Sequence, residues 1–148
     1  MGKSMLGRNL LRADAIVSYT ALIEAALTST QTLFSLPAGA VVSDAFFDVV
    51  VPFADTETNI SEVKIAIGVS GSTAAYMTST SVFTGTATAG TRYADKTNPS
   101  TYRVVSSATD VIATCSATGA NFGDGADTAL DAGVVRLTVL YHVLPIAI

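Results

Sequence analysis

At 148 residues, with 49% hydrophobic and only 14% charged residues, the chain is long enough for one core that needs neither disulfides nor metal. A net charge of −4 excludes wholesale binding of nucleic acid through phosphate neutralisation. One cysteine and one histidine exclude an intrachain disulfide and a structural zinc site. The charged share lies well below the roughly 25% usual for soluble domains, which suits a surface covered by partners in a long-lived assembly.

The first twelve residues hold Lys3, Arg8 and Arg12 with no acid, interleaved with Leu6, Leu10 and Leu11. The remainder holds five basic and twelve acidic residues, −7. A basic, leucine-bearing segment without periodicity reads as an extended interaction arm, residues 1–12. Its expected contacts with a partner are Lys3, Leu6, Arg8, Leu10, Leu11 and Arg12. Residues 13–148 then form a single β-sandwich domain. The start of the chain lacks the apolar stretch of a signal peptide. No run approaches the ~20 apolar residues of a membrane span, and Gly2 is not followed by the Ser/Thr of a myristoylation signal. The expectation is a soluble chain made in the cytoplasm, with no membrane partner.

Residues 13–27 fit two descriptions. Ile16, Tyr19, Ile23 and Leu27 recur at helical spacing behind Asp14 as a cap, and Ala15–Tyr19 also fits a strand. The β character of everything that follows favours the strand. Thr30–Leu36 is Thr-rich and apolar, and stops at Pro37-Ala38-Gly39. Val41–Phe53 alternates, with Ala45, Phe47, Val49, Val51 and Phe53 on one side and Asp44, Phe46, Asp48 and Val50 on the other. Glu62–Ser70 is the clearest strand, turning Val63, Ile65, Ile67 and Val69 inward.

Residues 70–91 are rich in Ser, Thr, Gly and Ala; Tyr76, Met77, Val82 and Phe83 anchor one or two strands there. Tyr102–Val105 makes a short strand, and Asp110–Thr118 alternates again before the turn-rich Gly119–Gly133. The last strand, Val134–Leu144, sets Val135, Leu137, Val139, Tyr141 and Val143 opposite Arg136, Thr138, Leu140, His142 and Leu144. Seven to eight strands without crossover helices predict an all-β domain, a β-sandwich or jelly roll.

Catalytic patterns are missing from the sequence. His142 sits on the less apolar face of its strand and reads as a surface or interface residue. Cys115, inside an alternating run, reads as a small buried hydrophobe. Gly68-Val69-Ser70-Gly71-Ser72 has Ser72 where a nucleophile elbow needs its second glycine. Gly2-Lys3-Ser4 has no glycine-rich loop before it to cradle phosphate. Asp55, Glu57 and Asn59 alternate as calcium ligands do, but Ile60 and Ala66 stand where such a loop needs glycine and glutamate. Asp124, Asp127 and Asp131 lie among glycines and read as a solvated turn. Asn59-Ile60-Ser61 matches a glycosylation acceptor, which means little without a secretory signal. No enzyme activity and no cofactor are expected.

Several segments carry a resemblance. They are Thr30-Gln31-Thr32-Leu33-Phe34-Ser35-Leu36-Pro37-Ala38 with the Val-rich strand after it, and Val63–Tyr76. Ala117-Thr118-Gly119-Ala120-Asn121-Phe122 and Ala132-Gly133-Val134-Val135, leading to Leu140-Tyr141, complete the set. Together, over residues 28–144, they resemble small β-rich virion proteins of tailed bacteriophages. These are turn and core residues, so no site residues carry over from the resemblance. What it implies is a capsid decoration, or cement, protein on the outer shell, bound to the major capsid protein; another virion component (tail, connector or head-fibre protein) and a host- or carbohydrate-binding β-sandwich are the alternatives. A homotrimer is expected, since the last strand is apolar on both faces.

Overall fold

The computed structural model describes residues 9–22, 26–86, 104–123 and 130–144, and the backbone of 92–94. Eight strands follow in order: β1 (Leu11–Ser18), β2 (Thr28–Leu36), β3 (Ala40–Ala54), β4 (Glu62–Val69), β5 (Ser72–Phe83), the three-residue β6 (Arg92–Ala94), β7 (Thr109–Thr118) and β8 (Ala132–Val143). A single 3-10 turn, Tyr19–Ala21, follows β1, and the Ser18 hydroxyl caps it by accepting from the Thr20 N–H. The helical description of residues 13–27 therefore gives way to the strand.

The strands form two antiparallel sheets, β1-β8-β3-β6 and β2-β7-β4-β5. Strand β1 pairs with β8, β2 with β7, β3 with β6 and β4 with β5. This is one long hairpin folded over on itself, the connectivity of a jelly roll. It decides between the two architectures that the sequence left open. Because β6 is so short, three long strands carry the first sheet.

The core lies between the sheets and follows from period-two alternation. Ala45, Phe47 and Val49 of β3 and Leu137 and Val139 of β8 face Val63, Ile65 and Ile67 of β4 and Ala113 and Cys115 of β7, all of them buried. Burying that many aliphatic side chains supplies the stability, at about 1.5–3 kcal/mol for each large one. Polar groups at the margin are satisfied locally. Gln31 donates through Nε2 to the Ala21 carbonyl at 2.7 Å and to the Ser29 hydroxyl at 3.1 Å.

Where the strands depart from simple alternation, bulges are the reason. The β3–β8 register shifts between Val49 and Val51 and again before Ala54. Val51, expected inside with Val49, is consequently turned out and 40% exposed. The β4–β5 register shifts three times, and twelve residues of β5 run beside eight of β4. As a result Ala75, Tyr76 and Met77 are buried in succession.

Gly68 permits this coiling. A Cβ there would lie 2.2 Å from the Ser72 carbonyl oxygen and 2.4 Å from the Thr73 carbonyl carbon. Gly133, at φ +147°, does a similar service in β8, where a Cβ would meet the Phe53 ring at 2.3 Å. Residues 70–83 hold one long strand. Of the short strand expected at Tyr102–Val105, Val104 makes an isolated bridge to Val41, and residues 101–103 lie outside the described residues. Strand β6 was not legible in the sequence.

Candidate interaction surface

The two sheets present different outer faces. That of the second sheet is built from Thr28, Thr30, Thr32, Ser116, Thr114 and Lys64, with Ala66, Gly68 and Ile112 outward in register yet buried. Its ion pair, Lys64 to Glu62 at 3.1 Å, lies at one end, where Glu62 also accepts from the Ser81 hydroxyl. The rest is short, uncharged and regular.

The first sheet carries charge across its outer face. In register, Arg12, Leu140 and Asp44 form one row, Asp14, Thr138 and Phe46 the next, and Ile16, Arg136 and Asp48 a third. Arg12 pairs with Asp14 at 2.7 Å and Arg136 with Asp48 at 3.3 Å. Thr138 is buried and donates to the other Asp14 oxygen at 2.6 Å. The Arg12 guanidinium first, and the Thr138 hydroxyl with it, hold the Asp14 carboxyl below the usual range, although partial burial opposes them. Asp14 in turn raises the pKa of Arg12. Bare aliphatic side chains flank these pairs: Leu10 (58% exposed) at one end, Ile16 (69%), Val50 (54%) and Val51 at the other.

The expected arm divides at this point. Lys3, Leu6 and Arg8 lie outside the described residues. Leu10 leads directly into β1, and Leu11 and Arg12 open that strand. Leu11 pairs with Tyr141 and Arg12 with Leu140, so these two residues belong to the sandwich and not to an arm. Sequence reasoning missed Asp14, Ile16, Asp48 and Arg136 as surface partners. The usable signal was Arg12 and Asp14 two apart in a strand, which puts opposite charges on one face.

Elsewhere the candidates for chemistry are occupied by structural work. Asp55 caps its own turn, accepting from the N–H groups of Glu57, Thr58 and Ile60, the last at 2.7 Å. That cap holds Thr58 at φ +61°. Asp131 accepts from both the N–H and the hydroxyl of Thr56, which ties the two acidic loops together and holds its own carboxyl low. Asp124 and Asp127 lie outside the described residues. No cluster that could hold a metal occurs among the described residues. Burial pushes the Cys115 thiol up to about 12, so no thiolate forms near neutrality. His142 is half-buried on β8, opposite Val41.

Neither a protein-family model nor a curated protein matches the sequence. Three solved structures share the fold. A chain in the capsid asymmetric unit of cyanophage Pam1 is 23% identical, with 97% of this chain and 91% of that one covered and a TM-score of 0.57. A chain in the capsid of Ralstonia phage GP4 is 17% identical over 93% and 86%, with a TM-score of 0.52. A chain in the acid-stable capsid of Helicobacter pylori bacteriophage KHP30 is 17% identical over 90% and 87%, with a TM-score of 0.50. The chain is thus similar, over nearly its whole length, to jelly-roll chains found in three phage capsids.

Proposed function

We propose that this chain is a non-enzymatic virion protein of a tailed bacteriophage, a decoration or cement protein that sits on the capsid and bridges major capsid subunits. The observation that carries this reading is whole-length likeness to chains of three phage capsids, in a domain whose acidic loops and single cysteine serve the fold. The low charge, and the outer face where ion pairs alternate with bare Ile16, Val50 and Val51, support an assembled setting. The basic segment holding Lys3, Leu6 and Arg8 is the attachment we propose to the major capsid protein.

We carry forward a homo-oligomer without the order three. The trimer expectation rested on a second apolar face of β8. On that face Thr138 is buried and bonded to Asp14, and Leu140 lies half-buried between Arg12 and Asp44.

Quantitative mass spectrometry of the purified virion tests the location. Copies in proportion to the capsid lattice are the expected result; copies in proportion to the single tail would overturn it. Removing residues 1–8, which leaves β1 whole, should preserve the melting temperature and abolish attachment to capsids. A truncated chain that still attaches as tightly would transfer the contact to the sandwich.

A further inference from the structure

Each sheet of a jelly roll has two edges, and a bare edge is a template for another strand. Three of the four edges in this fold are blunted. The register of β2 breaks between Thr32 and Phe34, that of β5 breaks three times, and β6 has three residues. Strand β1 differs. Its register with β8 runs unbroken from Leu11 to Ser18, without proline, glycine or lysine, and among the described residues no strand lies beyond it. Two of the most exposed large aliphatic side chains, Ile16 and Leu10, stand along this edge.

From this edge we infer that two copies of the chain join by antiparallel pairing of β1 with β1 about a two-fold axis at Ala13, making one continuous sheet from the two first sheets. The register follows from charge. Around a two-fold, residues that face each other share a side of the sheet, and their numbers sum to twice that of the central residue. Centring on Arg12 would oppose Arg12 to itself, and centring on Asp14 would oppose Asp14 to itself. Centring on Ala13 sets Arg12 against the partner's Asp14 and Asp14 against the partner's Arg12. Four charges of alternating sign then form a square, each Asp14 already held in place by Thr138.

The aliphatic residues follow the same arithmetic. Leu10 meets the partner's Ile16, and Ile16 the partner's Leu10, so two aliphatic side chains left bare in one copy cover each other in two. On the inner face Leu11 meets the partner's Ala15, and the small Ala13 side chains meet at the axis. Edge pairing of this kind is isologous and closed, so it ends at two copies. The inference does not depend on where in a virion the chain sits.

Sedimentation of the full chain tests it. The unaltered protein should be a dimer whose dissociation rises with dilution. Ile16→Lys, at a position exposed in the single copy, should leave the melting transition cooperative and weaken dimerisation at least about tenfold, since a lysine on a bare edge is a natural block to pairing. Arg12→Asp should do the same by opposing acid to acid, and Arg12→Asp combined with Asp14→Arg should restore the dimer because the swap preserves the square.

Ala13→Cys should form a disulfide between copies on mild oxidation, because directly opposed Cα atoms about 4.5–5.5 Å apart fall within disulfide range. Ala15→Cys, which faces Leu11 of the other copy, should not. A wild-type chain that stays monomeric at high concentration overturns the inference. So does a smallest assembly of three, or a dimer that survives Ile16→Lys and fails to crosslink through residue 13. Capsid attachment is read separately, with residues 1–8 removed, so failure of the dimer and failure of the decoration reading give different results.

Discussion

The two sheets differ in what they do with their outer surfaces. In the second, β5 closes over β4 so tightly that only glycine fits at residue 68, and the outward positions Ala66, Gly68 and Ile112 are buried like the inward ones. In the first, β1 runs straight along the edge and keeps Arg12, Asp14 and Ile16 outside. One sheet is thickened by its own chain. The other is left thin and chemically marked. Substitutions on β4 and at Gly68 in the second sheet should therefore bear on stability, and those on the outer face of the first chiefly on contact.

The largest effect should come from the middle of β4. Ile65 is fully buried between the sheets, paired with Cys115 and Thr80. Ile65→Ala should cost about 2–5 kcal/mol in urea unfolding. The adjacent Lys64→Ala removes only a half-exposed ion pair with Glu62, and should stay within about 0.5 kcal/mol. Similar losses from both would mean that β4 is not the inward strand of the second sheet.

Gly68→Ala should follow, at about 1–3 kcal/mol, because backbone atoms and not a flexible side chain occupy the space a methyl needs. By contrast Ser70→Ala, in the exposed turn between the same two strands, should change stability by less than about 0.5 kcal/mol. If Gly68→Ala were equally silent, β5 would not close over β4, and the difference between the two outer faces would lose its structural cause.

Much of the fold was legible because four of the eight strands, β3, β4, β7 and β8, alternate strongly enough to declare themselves. Val63, Ile65 and Ile67, and Val135, Leu137 and Val139, are buried where period two puts them. Legibility failed where an extra residue enters a strand. Val51 turns out because a bulge precedes it, and Ala75-Tyr76-Met77 turn in together because β5 coils. No local pattern encodes either event, since a bulge is set by the partner strand. The surface was harder still. In the sequence Arg12 reads as one charge of a basic arm, because Asp14 becomes its partner only once Leu11–Ser18 is a strand. Arg136 and Asp48 are 88 residues apart in sequence, and only the pairing of β3 with β8 brings them together.

The smallest effect separates the sheets by the kind of interaction that each carboxylate makes. Asp14 on the first sheet is held low mainly by the Arg12 guanidinium, whereas Glu62 on the second is held low first by the uncharged Ser81 hydroxyl and then by Lys64. Both carboxyls ionise more readily in the folded chain than in the unfolded one. Each therefore contributes stability that is fully present above the unfolded value of about 4 and is lost as pH falls through the lower folded value. Stability measured by urea from about pH 7 to about pH 3 should hold level and then decline at the acid end. Both groups lie near the surface, so the decline is shallow. Salt distinguishes them, because it screens an exposed ion pair more than a hydroxyl bond. In the Ile16→Lys chain, in which the proposed self-association is weakened, and at protein concentrations where that chain is monomeric, Arg12→Gln should flatten the acid decline most at low salt and little at high salt. Ser81→Ala should flatten it nearly equally at both. If the two variants respond to salt alike, the outer face of the first sheet is not electrostatically distinct from the second, and the division of labour between the sheets fails on its surface half.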